Sequence, residues 1–366
     1  MKKFPLILSL ILIISLLAGC AGTPVVYYTN CTCPVDAHAD AVIPAPTTAP
    51  VLDETPVLAE GALKTGLTIS TSLKKSANAT TEAEGKADYD VTMVAVLVDD
   101  NGVVQSCIID GIASSVNFDT TGAITSDLNA APQTKNELGE NYGMVAWGGA
   151  IAEWDAQAKA LADFAVGKTV EELKSGAVSE TGYAPEGSDL ATSATIYLGG
   201  YVSAIETAVN NAKHLGAQAG DTLKMGVITG IGDSTAAETE KAGNAQLNVD
   251  VTALTMNGET ITSCVIDSVQ AKVAFDATGA ITSDVAVPVA TKNELGENYG
   301  MVAWGGAIAE WDAQAASFAA YVTGKTAEEV SGINITEATK PADADLAASV
   351  TISIIGFMNL IAKAAK

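Results

Sequence analysis

Arginine is absent from this chain: its 19 cationic side chains are all lysine, set against 43 Asp and Glu, for a net charge of −24. Without a basic footprint the chain has no means of gripping a nucleic acid backbone, and without guanidinium it has no bidentate phosphate clamp. The acidic excess serves solubility and self-repulsion, and it implies that the globular part stands off an anionic membrane surface. Histidine is nearly missing too, with only His38 and His214, which removes His-based metal sites and catalytic triads from consideration. The chain contains no CxxCH, no paired CxxC, no P-loop and no GxGxxG. Conventional hydrolase or nucleotidase chemistry therefore has no support, and neither catalytic nor metal-ligating residues are assigned.

The amino terminus has a distinct grammar. Lys2 and Lys3 precede an apolar run from Phe4 to Leu17, which closes on Leu17-Ala18-Gly19-Cys20. A spanning helix needs about 20 apolar residues; this run is shorter and reads as a secretory signal, residues 1–19. The Leu-Ala-Gly-Cys ending looks like a bacterial lipobox. It implies cleavage before Cys20, acylation of that thiol and a lipid-anchored place on the extracytoplasmic face of the cell membrane, held by methylenes worth about 0.8 kcal/mol each. Residues 20–60, with six prolines among Ala, Thr and Val, read as an extended tether. Cys31 and Cys33 lie within it, too close together for an unstrained bridge.

Beyond the tether the chain is duplicated. Residues 134–158, TKNELGENYGMVAWGGAIAEWDAQA, recur unchanged at 291–315, and looser similarity extends over the flanks. We place repeat one at 61–216 and repeat two at 217–366; a long period seen twice indicates tandem domains. Each repeat opens with strands, Tyr89–Val98 and Val249–Leu254, that turn at Asn101-Gly102 or Asn257-Gly258 and return. Cys107 and Cys264 sit in the returning strands and read as small buried hydrophobes. A further strand, Ser115–Phe118 or Lys272–Phe275, is expected to form another hairpin with Ala-Ile-Thr-Ser. A helical stripe follows, Ile151, Trp154, Ala158, Leu161 and Ala165, repeated as Ile308, Trp311, Ala315, Phe318 and Val322. Short helices begin at Thr169 and Thr326, and each repeat ends with a short strand and a closing helix, Gly200–Lys213 or Gly356–Ala365. Strands first and helices later indicate α+β.

All four tryptophans lie in the identical blocks. Trp154 and Trp311 fall on the helical stripe and are read as core. Trp147 and Trp304 stand off it, just before Gly148-Gly149 and Gly305-Gly306, and are the better candidates for contacting a ligand. The Gly-Gly pairs form either an anion cradle at a helix entry or, more plainly, a flexible joint. Glu137, Glu140, Glu294 and Glu297 read as solvated loop acids, and Glu153 and Glu310 as water-facing.

The end of each repeat carries a further motif. Repeat one has Asp189-Leu-Ala-Thr192-Ser193-Ala194-Thr195, and repeat two has Asp345-Leu-Ala-Ala348-Ser349-Val350-Thr351. These segments resemble the FMN-binding domain whose threonine a flavin transferase esterifies to the FMN phosphate. The Asn-Gly hairpin and the Tyr-Gly-Met…Trp-Asp-Ala-Gln run are similar to the tandem FMN-binding lipoproteins of Gram-positive extracellular electron transfer. The resemblance implies covalent FMN at Thr195 and Thr351, with Asp189 and Asp345 helping to place the transferase's metal and nucleotide. It also implies Trp147 and Trp304 stacking on the flavin, and electrons arriving from membrane donors. The family's Gly is Ser193 or Ser349 here, and a Cβ at that position puts the transferase's approach in doubt. The other reading is a flavin-free cell-surface binding lipoprotein that uses the Trp/Gly-Gly surface. On either reading the chain is a carrier or binder rather than an enzyme with its own catalytic residues.

Overall fold

The computed structural model describes residues 61–366; the signal sequence, Cys20, the tether, Cys31 and Cys33 lie outside the described residues. Strands β1 (Ala62–Ser72), β2 (Gly85–Val98) and β3 (Val104–Phe118) form an antiparallel meander. Helices α1 (Lys135–Leu138), α2 (Met144–Gly148), α3 (Trp154–Ala165), α4 (Val170–Ala177) and α5 (Gly199–Asn211) follow. Strand β4 (Lys213–Gln218) then returns to the far edge, giving the sheet order β3-β2-β1-β4. The second repeat builds β5 (Thr222–Gly230), β6 (Gly243–Asn257) and β7 (Thr260–Phe275) as a three-stranded antiparallel sheet. Its helices are α6 (Lys292–Leu295), α7 (Met301–Gly305), α8 (Trp311–Val322), α9 (Ala327–Ser331), α10 (Ala344–Ala347) and α11 (Ile355–Ala364). The class is α+β.

Strand alternation decides how these elements pack. Side chains of successive strand residues point to opposite faces, and in β2 both faces are apolar. Ala87, Tyr89, Val91, Met93, Ala95 and Leu97 join one core, whereas Val94, Val96 and Val98 join another. The first set meets Leu247, Val249, Val251, Val269, Val273 and Phe275 of the second repeat, so the two sheets share one interior. Phe118 stacks on Phe275 in it, with ring centroids 4.0 Å apart. Each sheet's other face carries its own helices, α3 and α5 on one and α8 and α11 on the other. Gly66 and Gly226 let those helices sit close: a Cβ at either would collide with the carbonyl of Ala208 or Leu360. The layers run helix, sheet, sheet, helix. The halves also exchange matching backbone bonds, Ala79 N–H to Gly279 O and Ala237 N–H to Gly122 O, each 2.8 Å.

Several expectations change. The Asn-Gly turns join β2 to β3 and β6 to β7 as read, but Ser115–Phe118 and Lys272–Phe275 are the ends of β3 and β7 rather than separate strands. The Ala-Ile-Thr-Ser segments make only single bridges, Phe118 to Ile124 and Phe275 to Ile281. Helices α3 and α8 begin at Trp154 and Trp311, so Ile151 and Ile308 lie outside the stripe and are exposed. The backbone before α5 and α11 is irregular, not a strand, and residue 216 falls inside β4. Among the described residues no helix is long and apolar enough to cross a membrane.

Candidate functional site

The two threonines of the flavin-like motif occupy matching sites. Gln157, fully buried on α3, points its amide oxygen at the segment ahead of α5, where it accepts from Thr195 N (2.7 Å), Thr195 Oγ1 (3.2 Å) and Ile196 N (3.2 Å). Its Nε2 donates to Ala152 O at 2.7 Å, so both ends of the amide are used. Gln314 on α8 repeats this with Thr351 N (2.8 Å), Thr351 Oγ1 (3.3 Å) and Ala309 O. Thr195 is exposed and Thr351 half-buried; Asp189 and Asp345 are both exposed. Each threonine comes four residues before a helix, α5 or α11, that has no side-chain cap, and such an N-terminus favours a phosphate. Ser193, at the family's Gly position, is exposed with φ −118°, so the backbone there does not require glycine. Ser349 is likewise exposed.

Trp147 and Trp304 stand elsewhere. Each projects from a one-turn helix, α2 or α7, and is 91% and 92% exposed, and Val145, Ile151, Val302 and Ile308 of the same loops are exposed too. The indole lies over Gly143 or Gly300, where a Cβ would fall 2.5 Å from its Cδ1. Gly149 and Gly306 close the turn with positive φ of 62° and donate back into it. These Gly-Gly pairs are therefore helix ends, not anion cradles at a helix start. Glu153 and Glu310 do not simply face water. The Glu153 carboxylate accepts from the amides of Met144 (2.8 Å) and Val145 (3.0 Å), and Glu310 does the same for Met301 and Val302.

Sequence reasoning missed the polar constellation beneath these loops. Lys135 lies buried with Nζ 4.8 Å from the Trp154 ring and 5.5 Å from that of Tyr142; Lys292 sits likewise over Trp311 and Tyr299. Burial holds both lysines below their ordinary range. Asp110 and Asp267, each at a strand position beside them, accept from the amides of Asn136 and Asn293 at 3.1 Å. Burial pushes both carboxyls up to about 6. The Asn136 and Asn293 side chains donate to the carbonyls of Ile109 and Ile266 at 3.0 Å. The identical Thr-Lys-Asn runs thus clamp the loops onto β3 and β7, a structural use for much of the duplicated block. Burial also pushes the Cys107 and Cys264 thiols up to about 12, so neither is a ready thiolate.

Between the halves a cleft of about 580 Å³ runs over Leu67, Ile69 and Ile266, walled by Ala316 and Ala320 of α8. The matching position beside the first repeat is lined differently. There α3 carries Lys159 and Asp163, paired with each other, and Lys363 of α11 binds Glu137. The corresponding Thr207 and Glu294 line the open side. Among the described residues no cluster of His, Cys, Asp and Glu is arranged to hold a metal ion. Set against protein-family models, curated proteins and solved structures, the chain matches none.

Proposed function

We propose that the chain is an extracytoplasmic lipoprotein, anchored through Cys20, whose two repeats are FMN-binding-like copies carrying FMN as a phosphoester on Thr195 and Thr351. The observation that supports this reading is the glutamine clamp. The loops ahead of the motif differ between repeats, yet Gln157 and Gln314 hold the two threonine backbones in the same way. Exposed Thr195, exposed Asp189 and an uncapped helix start fit an ester to a flavin phosphate. Bound FMN would supply the redox chemistry, receiving electrons from membrane donors for acceptors outside. The chain's own part is to fix the threonine and to shelter nothing reactive of its own.

Coexpression with an active flavin transferase and its flavin substrate tests this. The intact mass should rise by one or two FMN less water, mapping to Thr195 and Thr351, and a Thr195→Ala/Thr351→Ala variant should stay colourless. A yellow double variant, or an unmodified chain beside a modified control, would sink the assignment.

The exposure of Trp147 and Trp304 favours a second reading, a flavin-free surface module binding through its tryptophan loops. Trp147→Ala/Trp304→Ala should then abolish binding to its partner while the fold survives.

A further inference from the structure

We infer that the two tryptophan loops are lipid-contacting elements, which place Val145, Trp147 and Ile151, with Val302, Trp304 and Ile308, in the interfacial layer of an electrically neutral bilayer. This deepens the surface-binding reading by naming its partner. Residues 142–152 and 299–309 contain no charged side chain, in a chain of net charge −24. Backbone polar groups entering a bilayer must be satisfied internally, and these loops largely meet that condition. The amides of Met144 and Val145 go to Glu153, Trp147 N to Gly143 O, Gly149 N to Val145 O and Ala150 N to Met144 O. The second loop repeats every one of these bonds. Glu153, the first carboxylate after the loop, is thereby turned inward to it.

The residue types choose the partner. Tryptophan is the side chain enriched where acyl chains meet headgroups, its ring apolar and its N–H free to bond. A protein-binding patch surrounds its aromatic anchor with a polar rim, whereas here the residues flanking the anchor in the chain, 143–152, are Gly, Met, Val, Ala and Ile. The acidic, arginine-free body gives no attraction to anionic headgroups, so the surface it fits is a neutral one and contact should not depend on salt. Reach is not limiting. On the lipobox reading, the tether from Cys20 to residue 60 spans up to roughly 130 Å when extended.

Tryptophan emission tests this, because two of the four indoles are on the loops and the other two are buried. The acylated full chain is reconstituted in phosphatidylcholine vesicles, with and without lipid brominated on its acyl chains. Insertion predicts a blue shift on reconstitution and loss of about half the emission to brominated lipid, unchanged by added salt. Emission that iodide quenches equally with and without vesicles, and that brominated lipid leaves untouched, overturns the lipid assignment. So does a concentration-dependent blue shift without vesicles, which would mean that a second copy covers the loops. Neither result touches the wider surface-binding reading, which falls only if Trp147→Ala/Trp304→Ala leaves partner binding intact. Flotation with the vesicles separately reports whether the chain is anchored at all.

Discussion

Asp110 Oδ1 accepts from Gly111 N at 2.7 Å and Asn136 N at 3.1 Å, and Asp267 Oδ1 accepts from Ser268 N and Asn293 N at the same distances. Burial is still the larger effect, lifting both carboxyls from 3.8 to about 6. A carboxyl raised in the folded state binds more protons there than in the unfolded chain. Its stabilising contribution is present below about pH 4, is lost as the pH rises through about 6, and changes little beyond. Two sites should together cost several kcal/mol across that window, at about 1.4 kcal/mol per pKa unit and site. Urea midpoints measured from pH 4 to 7 should fall, and Asp110→Asn/Asp267→Asn, which keeps the Oδ1 acceptors, should flatten the fall. Asp119 and Asp276, held low by Thr121 and Thr278, act at more acid pH and with the opposite sign. None of this was legible in the sequence. Asp110 follows two isoleucines in an apolar strand, and only the Thr-Lys-Asn loop folding back on β3 takes it out of water. The exposure of Trp147, in contrast, could be read, because it stands out of phase with the α3 stripe.

The one-turn helices α2 and α7 are too short to persist on propensity alone, since nucleation costs more than one turn returns. A carboxylate across two N-terminal amides offsets that cost, as caps contribute about 1–2 kcal/mol. Glu153→Ala/Glu310→Ala should therefore speed amide exchange at Met144–Ala150 and Met301–Ala307 by tenfold or more, with β2 and β6 unaffected. Equal protection in the variant would mean that the Gly149 and Gly306 C-caps suffice. Some elements were plain in the sequence: the Asn-Gly hairpins, and the Thr169/Glu172 and Thr326/Glu329 capping boxes, whose reciprocal bonds form. The start of α3 was misplaced because Ile151 keeps a helical interval from Trp154 while belonging to the preceding loop. Strands β1 and β5 went unread for a different reason. Thr65, Thr68 and Thr71 are buried in β1, so its alternation of inside and outside does not show as apolar against polar.

Two repeats in sequence invite the expectation of two domains, each closed around its own core. The shared interior argues for a different unit of folding. Leu223, Val227, Leu247, Val249, Val251, Val269, Val273 and Phe275 of the second repeat share one core with apolar residues of the first, and a half expressed alone would present that face to water. Apolar burial contributes about 25 cal/mol per Å², so losing one whole sheet-to-sheet layer removes more than a marginal domain can spare. The halves 61–216 and 217–366 should each fail to show a cooperative monomeric transition; mixed, they should recover it. A half that folds alone as a monomer with its own melting transition would restore the picture of independent tandem domains. The shared core also explains how identical blocks came to serve unequal surroundings. Once two sheets lock face to face, each helix layer meets the other half as well as its own sheet. Ala316 and Ala320 then open a cleft where Lys159 and Asp163 stand in the first repeat. Ala316→Lys/Ala320→Asp should fill that cleft without disturbing the core, because both alanines are exposed. Unfolding free energy should change by no more than about 0.5 kcal/mol, the usual range for surface substitutions. A loss of several kcal/mol would instead show that the open cleft is itself part of how the halves are held together.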